Sequence, residues 1–221
     1  MKIDIFGVKI DNLTMDEALK RIKGFVVLPY SEFIVRAQKD EEFRNILNSA
    51  DFCLCEGKGL WLMARFLKKP IKEPISGVDL IHNLRGRIFL LGGKEGVAKK
   101  VKEKLNTKVV GTEHGHQDLK KVIKKINKAK PEILLVGLGS PKQEKWIYEN
   151  LAKMPSVKMA VGVGGAFDFI SGRVKRAPKF LQKIGLEWLW RLILQPWRIK
   201  RVFEGVFGLS WLVVRTKVKN K

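Results

Sequence analysis

The sequence predicts an α/β fold: a Rossmann-like parallel sheet flanked by helices, with a basic, aromatic helical appendage at the C-terminal end. Three observations carry this. Short apolar runs alternate with amphipathic, helix-length segments over residues 14–163, the pattern of a parallel sheet covered on both faces. Three of those runs end in glycines, at Leu90-Leu91-Gly92-Gly93, Val136-Gly137-Leu138-Gly139 and Val161-Gly162-Val163-Gly164-Gly165. Residues 171–221 then carry thirteen Lys/Arg against two acids, Glu187 and Glu204, and four of the six tryptophans.

In chain order, Thr14-Met15-Asp16-Glu17 is a capping box opening a helix that runs to about residue 22. Residues 40–50 place Phe43, Ile46 and Leu47 on one helical face. Residues 52–55 form a short buried strand, and Gly57 and Gly59 open a helix over 60–67. Ser76-Gly77-Val78-Asp79 resembles a second capping box with Asp in place of Glu. Strands follow over 87–91, 108–110, 132–136 and 158–163, separated by helices over 96–105, 118–129 and 141–154. There is no internal repeat or low-complexity tract. Composition breaks near Pro178, which divides a core (1–178) from an appendage (179–221).

A length of 221 residues with 45% hydrophobic content suits one well-packed core. A formal net charge of +22 implies an anionic partner: nucleic acid, phospholipid or a phosphorylated substrate. In the appendage, Phe180, Trp188, Trp190, Trp197, Phe203, Phe207 and Trp211 are threaded among the basic residues. That mixture fits the anionic, apolar face of a bilayer. Nucleic-acid binding would account for the charge but not for the clustered Trp and Leu, so no nucleic-acid partner is expected. The longest apolar candidate for a span, residues 205–214, stops at Arg215, short of the ~20 residues a bilayer needs. Met1-Lys2-Ile3-Asp4-Ile5 has no signal-peptide character, and a cytoplasmic protein bound peripherally to the inner membrane face is expected. Lys217, Lys219 and Lys221 are expected to strengthen that binding. Cys53 and Cys55 read as buried core thiols. His82, His114 and His116 have no metal-ligand spacing, so no metal and no cofactor are expected.

The carboxyl ends of strands in an open α/β sheet line the ligand crevice. Glycine lets the backbone approach a phosphate there, and Ser140-Pro141 supplies a helix N-cap and a first helical residue. Each glycine-bearing end taken alone is a tight turn; the three together point toward a nucleotide or sugar-nucleotide site. No G-x-G-x-x-G fingerprint opens the first βα unit. Lys142-Gln143-Glu144-Lys145 could hold a polar ligand or form a solvated helix start. Glu56, between Cys55 and Gly57 at another strand end, is a candidate general base. The eight Asp residues include no D-x-D, so a nucleotide diphosphate would have to be neutralised by cationic side chains. Arg191, Arg198 and Arg201 share one helical face if Pro196 does not break it. Their planar forks suit phosphate, and lipid head groups would fit the same spacing.

These residues belong to a longer ordered series: Ala37-x-x-Asp40-x-x-Phe43-Arg44-x-x-Leu47-Asn48-x-Ala50-Asp51, Gly77-x-Asp79-Leu80, Leu90-Leu91-Gly92-Gly93 and the segment Val136 to Glu144. It continues through Gly164-Gly165-Ala166-Phe167-Asp168, Gly172, Arg176-Ala177-Pro178, Gly185-Leu186-Glu187-Trp188, Arg191-Leu192 and Pro196-x-Arg198. Over nearly the whole chain this resembles the WecG/TagA/CpsF family of bacterial glycosyltransferases. The resemblance implies inverting, metal-free transfer of a sugar, often N-acetylmannosamine, from a UDP donor to undecaprenyl-diphosphate-linked N-acetylglucosamine, in glycans such as teichoic acid linkage units. It also implies a C-terminal appendage that docks on the anionic inner leaflet and completes the site. The family's catalytic Asp matches Glu56, and its upstream Thr-x-Asn aligns with Leu28-Pro29-Tyr30. Those departures keep a catalytically inactive, membrane-bound scaffold as the alternative. The implied roles are Glu56 as base, Gln143 orienting sugar or acceptor, and Gly92, Gly137, Gly139, Gly164, Gly165 and Asp168 around UDP. Arg191, Arg198 and Arg201 would meet the diphosphate. Homo-oligomerisation is left open.

Overall fold

Alternation along each strand sorts the apolar residues of this chain into two layers. The computed structural model describes residues 1–219, with side chains as far as Thr216; the Lys217 and Lys219 side chains and Lys221 lie outside the described residues. An antiparallel hairpin, β1 (Lys2–Ile5) and β2 (Val8–Asp11), comes first. It is followed by α1 (Met15–Arg21), β3 (Gly24–Val27), α2 (Ser31–Ala37), α3 (Glu41–Ser49), β4 (Phe52–Cys53), α4 (Lys58–Phe66) and α5 (Gly77–Asn83). Next are β5 (Arg87–Gly92), α6 (Val97–Lys104), β6 (Lys108–Glu113), α7 (Leu119–Ala129), β7 (Ile133–Gly137), α8 (Lys142–Asn150), β8 (Met159–Gly162) and α9 (Ala166–Ile170).

Strands β3 to β8 form a six-stranded, wholly parallel sheet in the order β4-β3-β8-β7-β5-β6. On one face Phe25, Val27, Phe89, Leu91, Leu134 and Val136 pack with Phe33 of α2, Phe43 and Leu47 of α3, Val122 of α7 and Ile147 of α8. On the other, Val26, Ile88, Leu90, Ile133, Leu135 and Val161 pack with Leu80 of α5, Val101 of α6 and Phe167 of α9. The predicted sheet-and-helix class is therefore observed. The capping box at Thr14 is complete, with Thr14 Oγ1 accepting from Glu17 N–H and Glu17 accepting from Thr14 N–H. The second box is half formed: Ser76 caps Asp79 N–H, but the Asp79 carboxylate turns to Arg176 instead.

The appendage folds as α10 (Lys179–Ile184), α11 (Glu187–Leu194), a 3₁₀ turn (Pro196–Arg198) and α12 (Ile199–Lys219). Pro196 does break the helix, because it cannot donate the amide that would continue α11. Arg191, Arg198 and Arg201 therefore sit on three different elements and not on one helical face. α12 lies on α2 through glycines: a Cβ at Gly205 would come within 3.2 Å of Glu32 N, and one at Gly208 within 3.0 Å of Val35 Cγ1. Leu209 and Val213 of α12 are buried, Leu209 in the same apolar layer as Phe33 of α2. Trp197, Phe203, Phe207 and Trp211 remain exposed, whereas Trp190 donates to the Lys175 carbonyl at 3.0 Å. Among the described residues no helix is long and apolar enough to cross a membrane.

Candidate active site

Four strands of the sheet, β4, β3, β8 and β7, run their carboxyl ends into the base of one cavity of about 920 Å³, and the appendage forms its other wall. Leu28 and Tyr30 follow β3, Glu56 follows β4, Gly139 and Ser140 follow β7, and Gly162 to Gly165 end β8. From the appendage come Glu187, Trp188, Arg191, Arg198 and Arg201. Of the predicted site residues, the cavity gathers Glu56, Gln143, Gly139, Gly164, Gly165 and the three arginines. Gly92, Gly137 and Asp168 do not line it. Gly92 is small for a different reason: β5 and β7 pair there, and a Cβ would stand 2.4 Å from the Gly137 carbonyl. A Cβ at Gly137 would meet the Phe167 ring at 2.9 Å.

Glu56 is held by a main-chain donor, with Gly77 N–H reaching its Oε1 at 2.8 Å. Burial raises its pKa to about 7, against the lowering pull of that amide and of Arg191. A carboxylate poised at 7 takes up and releases a proton at neutral pH, which is what a general base needs. Gly77 begins α5, so the predicted cap at Ser76 also positions the Glu56 carboxylate. Ser76 Oγ and Asp79 are in turn gripped by Arg176, at 3.2 Å and at 2.7 and 3.0 Å, and Arg176 Nε reaches Glu187 of α11 at 3.3 Å.

Gln143 is only 2% exposed and its amide is committed. Its Oε1 accepts from Gly139 N–H and Gly164 N–H at 3.1 and 3.0 Å, and its Nε2 donates to Glu144 Oε1 at 2.6 Å. It thus ties the turn after β7 to the turn after β8. Glu144 is fully buried, and burial raises its pKa to about 7 as well. The expected N-cap at Ser140 is not formed: α8 begins at Lys142 with Pro141 in the cap position, and the buried Ser140 hydroxyl lies instead by the Glu144 carboxylate, whose pKa it pulls down against burial.

The arginines differ in their partners. Arg201 donates to Glu32 at 3.0 and 3.2 Å and to the Tyr30 hydroxyl at 2.8 Å, and Tyr30 passes a bond on to Glu32. Arg191 lies over the Phe169 ring at 4.7 Å, its Nη2 3.9 Å from Asp168 and without a hydrogen bond. Arg198 Nε is likewise buried and unpartnered, and burial beside Arg191 and Arg201 lowers its pKa to about 10. A buried guanidinium N–H without a hydrogen-bond partner is uncommon, and its geometry and charge suit an anion. Among the described residues no group of three or more His, Cys, Asp or Glu could hold a metal ion. Cys53 and Cys55 are free and buried, and burial pushes the Cys55 thiol up to about 12.

Sequence reasoning missed Tyr30, Glu32 and Arg176 as site-building residues. Neither β3 nor α2 stands out by period, because the apolar run at residues 25–28 shows no alternation and α2 is only seven residues long. Arg176-Ala177-Pro178 was visible as part of the ordered series, but not the partner it grips.

A parallel α/β sheet with a carboxylate, Glu56, and arginine N–H groups that lack a hydrogen-bond partner over its strand ends has the layout of an α/β enzyme site. The chain belongs to the glycosyl transferase WecG/TagA/CpsF family, whose model matches residues 3–221. A Bacillus subtilis (strain 168) protein named N-acetylglucosaminyldiphosphoundecaprenol N-acetyl-beta-D-mannosaminyltransferase is 36% identical over 225 residues, covering 96% of this chain and 87% of that protein. A Staphylococcus aureus (strain MRSA252) protein of the same name is 30% identical over 243 residues, covering 100% of this chain and 95% of its own length.

Proposed function

We propose that this glycosyltransferase moves N-acetylmannosamine from UDP to undecaprenyl-diphosphate-linked N-acetylglucosamine, with inversion and without a divalent metal. The observation that carries this reading is the pairing of Glu56, poised near neutrality, with Arg191 and Arg198 open to an anion in the same cavity. The acceptor and sugar are those that the two bacterial relatives' names specify. Glu56 takes the proton from the acceptor hydroxyl as that oxygen attacks the anomeric carbon. The bond from that carbon to the diphosphate oxygen breaks, and its electron pair leaves with UDP. Attack opposite the departing group inverts the centre. Arg191 and Arg198 neutralise the charge that develops on the diphosphate, a role that metal-dependent enzymes give to a D-x-D-held cation and that this sequence lacks.

Gln143 acts by fixing the two glycine turns against which UDP lies, and Asp168 acts by steering Arg191. The appendage, residues 179–221, is both lid and anchor. Its lid role rests on the arginines it brings to the cavity. Its anchor role rests on exposed Trp197 (73%), Trp211 (66%), Phe203 and Phe207 among basic residues, a surface suited to anionic head groups. The protein would work on the inner face of the cell membrane, where the acceptor's lipid resides. Purified protein given UDP-N-acetylmannosamine and a short-chain lipid-diphosphate N-acetylglucosamine should release UDP at the same initial rate in excess EDTA as in Mg²⁺. No UDP release from either mixture would favour the scaffold reading, and collapse on chelation with recovery in Mg²⁺ would contradict the metal-free mechanism.

A further inference from the structure

A glutamate in the first turn of a helix is ordinarily solvated, where it favours the helix dipole. Glu144 stands in the first turn of α8 but is fully buried, behind Gln143 in the cavity wall. Burying a carboxylate is costly unless its oxygens find partners. Glu144 Oε1 accepts from Gln143 Nε2 at 2.6 Å, and the Ser140 hydroxyl lies by the same carboxylate. Strand β8 makes room for the pair with a glycine: a Cβ at Gly162 would stand 2.9 Å from Gln143 Nε2 and 3.0 Å from Glu144 Oε1. A glutamine amide has nearly the same shape either way round, so its partners decide which end is the oxygen. At Gln143 the oxygen must face the N–H groups of Gly139 and Gly164, at 3.1 and 3.0 Å. Glu144 supplies the acceptor that makes the opposite end the NH2. Ser140 and Gly139 share the turn after β7. The Glu144 carboxylate therefore meets that turn directly and, through Gln143, reaches the turn after β8.

We propose that Glu144 is a positioning residue for the nucleotide: by holding Gln143 Nε2 it keeps Oε1 turned toward Gly139 and Gly164, and so fixes the two turns between which UDP is bound. The inference rests on the transferase reading above and adds the residue that sets its nucleotide seat. Glu144 touches neither substrate nor reacting atoms; it acts through Gln143 alone. Without its carboxylate, Nε2 would be left in the wall with no acceptor, and the amide would swing out toward the cavity. Both turns would then be released. Gly139 and Gly164 have positive φ, +80° and +49°, and glycine at such positions is free to take up other conformations. The loss would therefore fall on UDP binding and spare the proton transfer at Glu56.

The test measures UDP affinity by calorimetry, with turnover alongside, on the full chain at about pH 8, where Glu56 is deprotonated. Glu144→Met fills the same space without an acceptor and should weaken UDP binding about tenfold, with kcat changed less than about threefold. Glu144→Gln can still accept from Gln143 Nε2 and donate to the Ser140 hydroxyl, and should bind UDP within about twofold of wild type. Because Glu144 acts through Gln143, adding Glu144→Met to Gln143→Met should cost no more than about a further twofold. Wild-type affinity in Glu144→Met, or losses that multiply in the double variant, overturns the positioning role while leaving the transferase reading standing. If Glu144→Met does not fold, Glu144→Gln decides alone: a tenfold loss of affinity there equally overturns the role, and retained affinity supports it. Wild-type protein that binds no UDP overturns both.

Discussion

Gly165 and Arg191 fit against one another with no room between them: a Cβ at position 165 would stand 2.0 Å from Arg191 Nη2. The glycine that caps α9 beyond β8 is thus small for the sake of an arginine from the appendage, in addition to any approach of ligand to backbone. Gly165→Ala should push the guanidinium off its seat and weaken UDP binding by roughly ten- to a hundredfold, the value of one or two hydrogen bonds to a charged group. Arg191→Lys should do much the same, since it cannot restore the planar fork. Isothermal titration with UDP checks this, and unchanged affinity in both variants would remove Arg191 from the diphosphate site.

The pH dependence follows from Glu56. Burial raises its pKa to about 7, and a base works only when deprotonated. The kcat/KM should therefore fall by about tenfold per unit below about pH 7 and level off above it. The nearby Glu144 carboxylate contributes to that elevation. Glu144→Gln, which can still accept from Gln143 Nε2, should move the acid limb to lower pH. A rate profile flat down to pH 5 in the wild type would show that another group sets the rate.

Arg176 links the seat of Glu56 to the appendage, because the same guanidinium grips Asp79 and Ser76 at the start of α5 and Glu187 on α11. Its seating therefore reaches Glu56 through Gly77, whose amide holds the carboxylate and whose missing Cβ would lie 2.9 Å from Oε1. Arg176→Lys and Gly77→Ala should each lower kcat by roughly tenfold while changing UDP affinity less, since a misplaced base costs turnover more than ground-state binding. Equal losses in UDP binding and kcat would mean that the whole cavity has collapsed.

Removal of the appendage after Pro178 takes away the three arginines and uncovers the face of α2 on which α12 packs, including the surroundings of Leu209. The shortened chain should retain its parallel sheet by circular dichroism and melt at a lower temperature. It should lose both vesicle binding and transfer to a water-soluble acceptor. Transfer at the full-length rate would mean that the appendage is an anchor and not a lid.

The sheet was readable because each strand is an apolar run and each covering helix carries a clear stripe, as at Phe43, Ile46 and Leu47. Strand β3 and helix α2 were not, since the four-residue run at 25–28 has no alternation and the seven residues of α2 are too few to show a helical stripe. The site was legible to the extent that its residues sit at strand ends: Glu56, Gly139 and Gly164 do. Gly92 and Gly137 carry the same signature and serve strand-to-strand and strand-to-helix packing, which sequence spacing cannot distinguish from ligand approach. The arginines were found by type and spacing, but their convergence from α11, a 3₁₀ turn and α12 depends on the break at Pro196. Trp188 and Trp190 read as membrane anchors, whereas Trp188 lines the cavity and Trp190 is tied to Lys175.

The central claim, that Glu56 is the base of a transfer reaction, is tested most directly by Glu56→Gln assayed for both UDP release and UDP affinity. The account predicts a fall in turnover of about 10²–10⁴-fold, with UDP affinity held within a few-fold. Glu56→Asp, which withdraws the carboxylate by one methylene from Gly77 N–H, should fall between the two. Near-wild-type turnover in Glu56→Gln would contradict the account.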